Sequence, residues 1–344
     1  MKIAIHKSRN DFSSKWIDYC KKQSINYKLV DCYSNDIISQ IEDCDALMWH
    51  FHHANSKDVL FAKQLLYSVQ MAGKLVFPDF NTAWHFDDKV GQKYLLESIK
   101  APIVPSYVFY EKKEALAWAK NTGYPKVLKL RKGAGSSNVK KIEDFYQAKK
   151  VIKKAFGKGF SPYDKWANLK ERWYKYGKGL TSSWGVIKGI LRFGRSTEFA
   201  RVSGNERGYI YFQDYIPGNE YDIRVIVIND KAFAIKRLVR EDDFRASGSG
   251  KVLFDKEHFD EATISLSFEI REKLKSQCLA IDYVYDNGNP LIVEISYGFI
   301  KEVYYQCTGY WDRDLNWHQG SFDAQGWMVE GLIKQSKNYS INEM

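Results

Sequence analysis

Between Val127 and Val139 the chain reads VLKLRKGAGSSNV. Lys129 ends an apolar, strand-like run, and Gly133, Gly135, Ser136 and Ser137 follow. Glycines allow successive backbone N–H groups to converge on an anion, and the two hydroxyls add donors. The lysine precedes the glycines and no GK[ST] follows, so this is not a P-loop. A lysine so placed suits the α- and β-phosphates of a nucleotide; a flexible surface turn is the alternative. A second constellation pairs Asp282, in LAIDYVY, with Glu294, in LIVEIS, across a DNG turn. Strands joined by a short hairpin bring such positions close. Carboxylates embedded among apolar residues are costly unless answered by charge, and a divalent cation between them answers both. Separate structural ion pairs are the alternative.

Two further stretches carry charge in a pattern. In YFQDYIPGNEYDIRVIVI, Tyr211–Ile228, a turn at Pro217-Gly218 leads into a strand on which Glu220, Asp222 and Arg224 share one face. In AIKRLVREDDFRASGSG, Ala234–Gly250, Lys236, Arg237, Arg240 and Arg245 run into a Ser/Gly-rich segment. Arginines there can clamp phosphate or carboxylate with two bonds each. A solvated basic edge is the alternative and suits Arg240 best.

These residues need elements to position them. The first eighty residues alternate between strand and helix periods: strands at Lys2–His6, Tyr27–Val30, Ala46–Trp49 and Leu75–Phe77, with helices at Asp11–Gln23, Asp36–Ile41 and Ser56–Met71. Such alternation predicts a parallel sheet with helices on its faces. No GxGxxG follows the first strand, so nothing marks a dinucleotide site. His50, His52 and His53 fall at a strand C-terminal end, where open sheets gather ligands; partly buried histidines are the plainer reading. Further on, strands are predicted at Ser106–Tyr110, Lys126–Leu130, Tyr209–Tyr215, Arg224–Ile228, Ala232–Arg237, Leu279–Tyr285 and Pro290–Ile295.

Composition narrows the class. The 344 residues carry 52 Lys+Arg against 42 Asp+Glu, a net charge of +10. Apolar residues at 44% and charged ones at 27% exclude a largely disordered chain. No apolar run is long enough to span a bilayer. The opening MKIAI lacks a signal segment, which predicts a cytoplasmic protein. Five scattered cysteines without a CxxC pair suggest neither zinc nor a disulfide framework.

In this order the four charged pieces resemble the ATP-grasp superfamily over roughly 82–297. The tract 211–251 is most similar to the branch containing the bacterial ligase that adds glutamate to a ribosomal protein; D-alanine–D-alanine ligase is more distant. The resemblance implies an α/β ATP-grasp fold, two α+β lobes that clasp ATP, preceded by a Rossmann-like domain. It divides the chain into 1–82, a central lobe 83–212 and a C-terminal lobe 213–344 with the metal site. It implies ATP and Mg²⁺, with Mn²⁺ as a substitute. Lys89 and Lys129 would be the nucleotide lysines. Gly133, Gly135, Ser136 and Ser137 would form the phosphate loop. Gln213, Asp214, Tyr215 and Ile216 would form the hinge that reads adenine, and Glu220 would bind ribose. Asp282 and Glu294 would be the metal acids. Arg224, Arg237 and Arg245 would hold the transferred phosphate and the acyl substrate. One departure stands out: relatives usually have Glu-x-Asn where this chain has Glu294-Ile295-Ser296, so a weaker hydroxyl replaces an amide as third metal ligand.

The implied reaction is phosphorylation of a small carboxylate by ATP, then attack by an amine to form an amide. A kinase acting on a hydroxyl and a non-catalytic ATP binder are the alternatives. Residues 157–207 form an insertion with eleven Lys/Arg against four acids, interleaved with Trp166, Trp173, Tyr174, Tyr176 and Trp184. Most of the net charge lies there. It suits a sugar-linked or otherwise anionic substrate, or a lid packed on the lobes. Nucleic acid is disfavoured because no known binding module is present. The oligomeric state is open, with a homodimer as one option.

Overall fold

The computed structural model describes residues 1–8, 12–133, 138–161, 201–202, 204–239, 245 and 251–342. In chain order the strands are β1 (Lys2–His6), β2 (Asn26–Val30), β3 (Ala46–Met48), β4 (Leu75–Phe77), β5 (Ser106–Phe109), β6 (Lys126–Lys129), β7 (Lys140–Ile142) and β8 (Ile210–Asp214). There follow β9 (Tyr221–Ile228), β10 (Lys231–Leu238), β11 (Val252–Leu253), β12 (Cys278–Asp286), β13 (Asn289–Ser296), β14 (Gly309–Asp312) and β15 (Trp317–Gln319). The helices are α1 (Ser13–Lys22), α2 (Ile37–Gln40), α3 (Ser56–Met71), α4 (Phe80–Ala83), α5 (Lys89–Ser98), α6 (Lys112–Asn121), α7 (Phe145–Ala155), α8 (Glu261–Leu274) and α9 (Ala324–Asn342). The chain divides into two compact units. Unit 1 is Met1–Phe86, Ser98–Pro102 and Asn219–Met344; unit 2 is Asp87–Glu97 and Ile103–Gly218.

Unit 1 contains two sheets. The first is the parallel one that the strand–helix alternation predicts, in the order β2-β1-β3-β4. The centres of its inner strands are apolar, with Ile3, Ala4, Ile5, Ala46, Leu47 and Met48 all buried, as strands covered on both faces require. The second is antiparallel, in the order β13-β12-β9-β10-β14-β15, with β11 on β10. On β9, Asp222, Arg224, Ile226 and Ile228 share a face with register partners Arg237, Ile235 and Phe233 on β10 and Asp282, Ala280 and Cys278 on β12. One half of that face is apolar. Ile226, Ile228, Phe233, Ile235, Cys278 and Ala280 are buried in one core with Ile5, Trp16, Met48 and Met328. Burial of this half fixes the strands, and so fixes where the charged half, Asp222 to Asp282, must stand.

Two tight turns hold the register. Asn229-Asp230 joins β9 to β10, with Asn229 at φ 54°. Asn287-Gly288 joins β12 to β13, with φ of 49° and 82°, the left-handed geometry that favours Asn-Gly in two-residue hairpins.

Unit 2 is built on an antiparallel sheet in the order β5-β8-β6-β7. Helices α6 and α7 cover one face, burying Leu128 and Phe212 against Ala115, Ala119, Ala148 and Ile152. Lys129, Tyr211 and Gln213 occupy the opposite face by strand alternation. Among the described residues no helix is long and apolar enough to cross a membrane. All five cysteines are free and buried. Most of the insertion expected at 157–207 lies outside the described residues.

Candidate functional site

The charged half of the β9 face is a row of alternating sign across three strands. Arg237 on β10 stands opposite Asp222 on β9, and its Nε and one Nη donate to the two Asp222 oxygens at 2.6 and 2.7 Å. Arg224 stands opposite Asp282 on β12 and binds it the same way, with Nη–Oδ2 at 2.6 Å. A second Arg237 contact reaches Asp282 at 3.1 Å, joining the two pairs. Burial by itself would raise Asp282; Arg224 and Arg237 overcome it and hold the carboxyl below the usual carboxylate range. Burial opposes the charge on Arg224, yet Asp282 more than offsets it and raises Arg224 well above its ordinary value. For Asp222 burial wins, and its pKa is raised despite Arg237. Tyr304 lies in the same field: burial pushes its phenol up to about 12, with Arg224 and Arg237 acting against that.

Glu294 reaches this row through a backbone irregularity. The turn pairs Asp286 with Asn289, and Tyr283 pairs with Ile292. Continued regularly, that register would place Val293 opposite Asp282 and point Glu294 to the other face. A bulge between Asp282 and Tyr283 takes up one residue, so Asp282 and Glu294 stand directly opposite each other. Two residues on, the Ser296 hydroxyl closes a small turn. It accepts from the Gly298 N–H at 3.1 Å and donates to the Gly298 carbonyl at 3.0 Å.

In unit 2, Lys129 is buried, 6% exposed, and donates to the Gln213 carboxamide oxygen at 2.6 Å. The Gln213 amide donates to Ser106 Oγ at 3.1 Å, and Tyr211 OH donates to the same oxygen at 2.9 Å. Asp214 faces the helices instead. Its side chain pairs with Lys126, and its backbone N–H donates to the Pro105 carbonyl at 2.8 Å. Lys89, at the start of α5, donates to the Gly133 carbonyl at 2.7 Å, and the Gly133 N–H donates to Asp87 at 2.7 Å. Both groups of the Gly133 peptide, the entry to the glycine loop, are therefore engaged. Tyr215 lies against the Lys141 ammonium, 4.6 Å from ring centre to Nζ.

The expected residues thus assemble in two sets. Arg224, Arg237, Asp282, Glu294 and Ser296 lie on neighbouring strands of one sheet in unit 1. The exposed Glu220 and the half-buried Arg245 belong to the same unit. Lys89, Lys129, Gly133 and the Gln213–Ile216 tract belong to unit 2. Gly135, Ser136, Ser137 and Arg240 lie outside the described residues. Sequence reasoning missed Lys126, and it missed that Asp87 holds the Gly133 N–H. Lys126 had a legible signal, being a lysine on a buried strand with an acid in its neighbour. Asp222 and Arg237 were both expected near the site, but their pairing across β9 and β10 was not.

Residues 194–302 match the family model described as a RimK-like ATP-grasp domain. No curated protein matches the chain in sequence. Among solved structures it is similar to a RimK domain ATP-grasp protein from Sphaerobacter thermophilus, at 15% identity and TM-score 0.55, over 97% of this chain and 100% of that one. It is similar to D-alanine–D-alanine ligase from Bacillus anthracis in complex with ATP, at 12% identity and TM-score 0.54, over 100% and 99%. It is also similar to the ATP-grasp ligase PsnB, solved with a minimal precursor, Mg and ADP, at 14% identity and TM-score 0.53, over 97% and 98%. These likenesses show the fold: the chain has the α/β ATP-grasp fold.

Proposed function

We propose that this ATP-grasp chain is an ATP-dependent ligase that joins a small carboxylate to an amine through an acyl phosphate. The observation that carries the reading is the row Arg237–Asp222, Arg224–Asp282–Glu294, which the bulge completes. Each guanidinium is aligned by a two-bond contact to a carboxylate and stays charged, an arrangement suited to stabilising charge on a phosphoryl or acyl group. No cysteine or serine nucleophile is needed, because positioning and charge neutralisation do most of the work in phosphoryl transfer.

The assigned roles follow the residues' surroundings. Lys129 and Lys89 would hold nucleotide phosphates with the Gly133–Ser137 loop. The hinge Gln213–Ile216 would read adenine through its backbone, since the Asp214 side chain is turned toward Lys126. Glu220 would take the ribose hydroxyls, and Arg245 would join Arg224 and Arg237 on the anionic groups. The acids Asp282 and Glu294 fit Mg²⁺, or Mn²⁺, which take oxygen ligands and complete their shells with phosphate and water. Of the roughly four lone-pair sites on Asp282, three accept from Arg224 and Arg237, so one remains for a metal. Ser296 spends its hydroxyl proton on Gly298 and would offer only a lone pair. When bound, the ion would neutralise charge on the transferred phosphoryl group. The three-part division at 82 and 212, a cytoplasmic setting, a homodimer as the assembly and an anionic, sugar-linked acceptor suited to 157–207 belong to the same reading.

Nucleotide binding tests it. Titration calorimetry is expected to show MgATP binding to the whole protein. Lys129→Met is expected to weaken it about 10- to 100-fold, the effect of losing one charge-assisted contact to phosphate. Thermal unfolding of the variant checks that the fold survives. A well-folded wild-type protein that binds no MgATP would overturn the reading.

A further inference from the structure

The glycine loop begins just past β6, and the backbone at its entry is tethered from two parts of the chain. The start of α5 holds one side. Lys89 and Asp87 engage the Gly133 peptide, and the Lys89 N–H donates to the Arg131 carbonyl at 3.0 Å. The other tether comes from Tyr209, the residue directly before β8. Its hydroxyl accepts from the Arg131 N–H at 2.7 Å.

That hydroxyl is itself fixed. It donates its proton to Glu206 Oε2 at 2.7 Å, which leaves its lone pairs for Arg131. Burial and the Glu206 carboxylate beside it raise the phenol, so the proton stays on oxygen at physiological pH. Glu206 in turn is set by a neck where the two ends of the 157–207 stretch meet. Glu206 and Phe160 exchange backbone hydrogen bonds at 2.8 and 2.9 Å. The Asn205 carboxamide donates to the Lys158 carbonyl at 2.9 Å, and the Gly208 N–H donates to the Ala155 carbonyl at 3.1 Å. At Gly159 the two backbones pass so closely that a Cβ would stand 2.6 Å from the Glu206 carbonyl oxygen, and its φ of 75° favours glycine as well. Phe160, Glu206, Tyr209 and Arg131 thus form one unbroken run of hydrogen bonds from the neck to the loop entry, all within unit 2.

We infer that Tyr209, held by Glu206, is a positioning residue that sets the entry of the glycine loop from the neck of the 157–207 stretch. That the loop serves a nucleotide rests on the ligase reading; the brace itself does not.

The test uses the full chain, with MgATP and adenosine as probes; adenosine carries base and sugar but no phosphate. Tyr209→Phe keeps the ring and removes the hydroxyl. By titration calorimetry it is expected to weaken MgATP binding about 5- to 10-fold, the effect of losing one hydrogen bond, and to leave adenosine within about twofold. Amide hydrogen exchange at Arg131 is expected to quicken by a similar factor. Glu206→Leu should reproduce both effects, and Glu206→Gln, which keeps an acceptor for the phenol, should recover most of the lost affinity. Thermal unfolding checks that each variant is folded. Equal losses for MgATP and adenosine, or a Tyr209→Phe protein with unchanged MgATP affinity, would overturn the inference. Quicker exchange at Arg131 in variants of a protein that binds no MgATP would support the brace while removing the ligase reading. MgATP binding with exchange and affinity unchanged in the variants would leave the ligase reading and remove the brace.

Discussion

Glu294→Gln is expected to lower ATP-dependent turnover at least about 100-fold while the unfolding midpoint moves by no more than about 2 °C. The substitution keeps the shape and removes one negative charge. Glu294 sits on β13, the edge strand of its sheet, and is half-exposed, so the shape-preserving amide is accommodated without burying a new polar group. Its value lies in standing opposite Asp282, a position reached through the bulge. Steady-state phosphate release and a thermal melt on the same preparation separate the two effects. Turnover within a few-fold of wild type would remove Glu294 from the site.

Its neighbour should behave differently. Asp282→Asn is expected to destabilise unit 1 by about 3–5 kcal/mol, because it leaves the buried Arg237 and the half-buried Arg224 facing a neutral group. For a unit of this size that corresponds to a fall in midpoint on the order of 10 °C. Asp282 receives Arg224 through two bonds and Arg237 at 3.1 Å, and Asp222 is left to answer Arg237 alone. Removing both members of the main pair, Arg224→Leu with Asp282→Leu, should recover much of the loss, since a desolvated ion pair contributes little over apolar packing. A single Asp282→Asn variant as stable as wild type would show that the row is not the electrostatic unit described. The two variants thus separate the acid that is tied into the fold through arginines from the acid assigned to the chemistry in the proposed reading.

Much of this arrangement was legible in the sequence for a physical reason. Strands leave a period-two signature, so Glu220, Asp222 and Arg224 could be put on one face before any register was known. The Asn287-Gly288 turn joined the two acid-bearing strands without ambiguity. The precise opposition of Asp282 and Glu294 was not legible, because hairpin counting predicts Val293 there. Bulges arise from local backbone geometry that leaves no fixed residue pattern. The pairing of Lys126 with Asp214 had a signal in the residue types but needed the register of β6 on β8, which lies far along the chain. Strands β7, β11, β14 and β15 run only two to four residues, too short for a period to emerge. Which histidine is clamped against the β1–α1 connection is not given by strand–helix alternation. Three histidines in HFHH look alike in sequence; Phe12 singles out one of them.

The central claim is that this fold activates a carboxylate with ATP. The most direct measurement is trapping with hydroxylamine: wild-type protein, MgATP and a pool of small carboxylates, with ADP and hydroxamate quantified together. An acyl phosphate gives hydroxamate in step with ADP, and Glu294→Gln abolishes both. A stable phosphoester in place of hydroxamate, or MgATP that binds and is never cleaved with any carboxylate in the pool, would contradict the account.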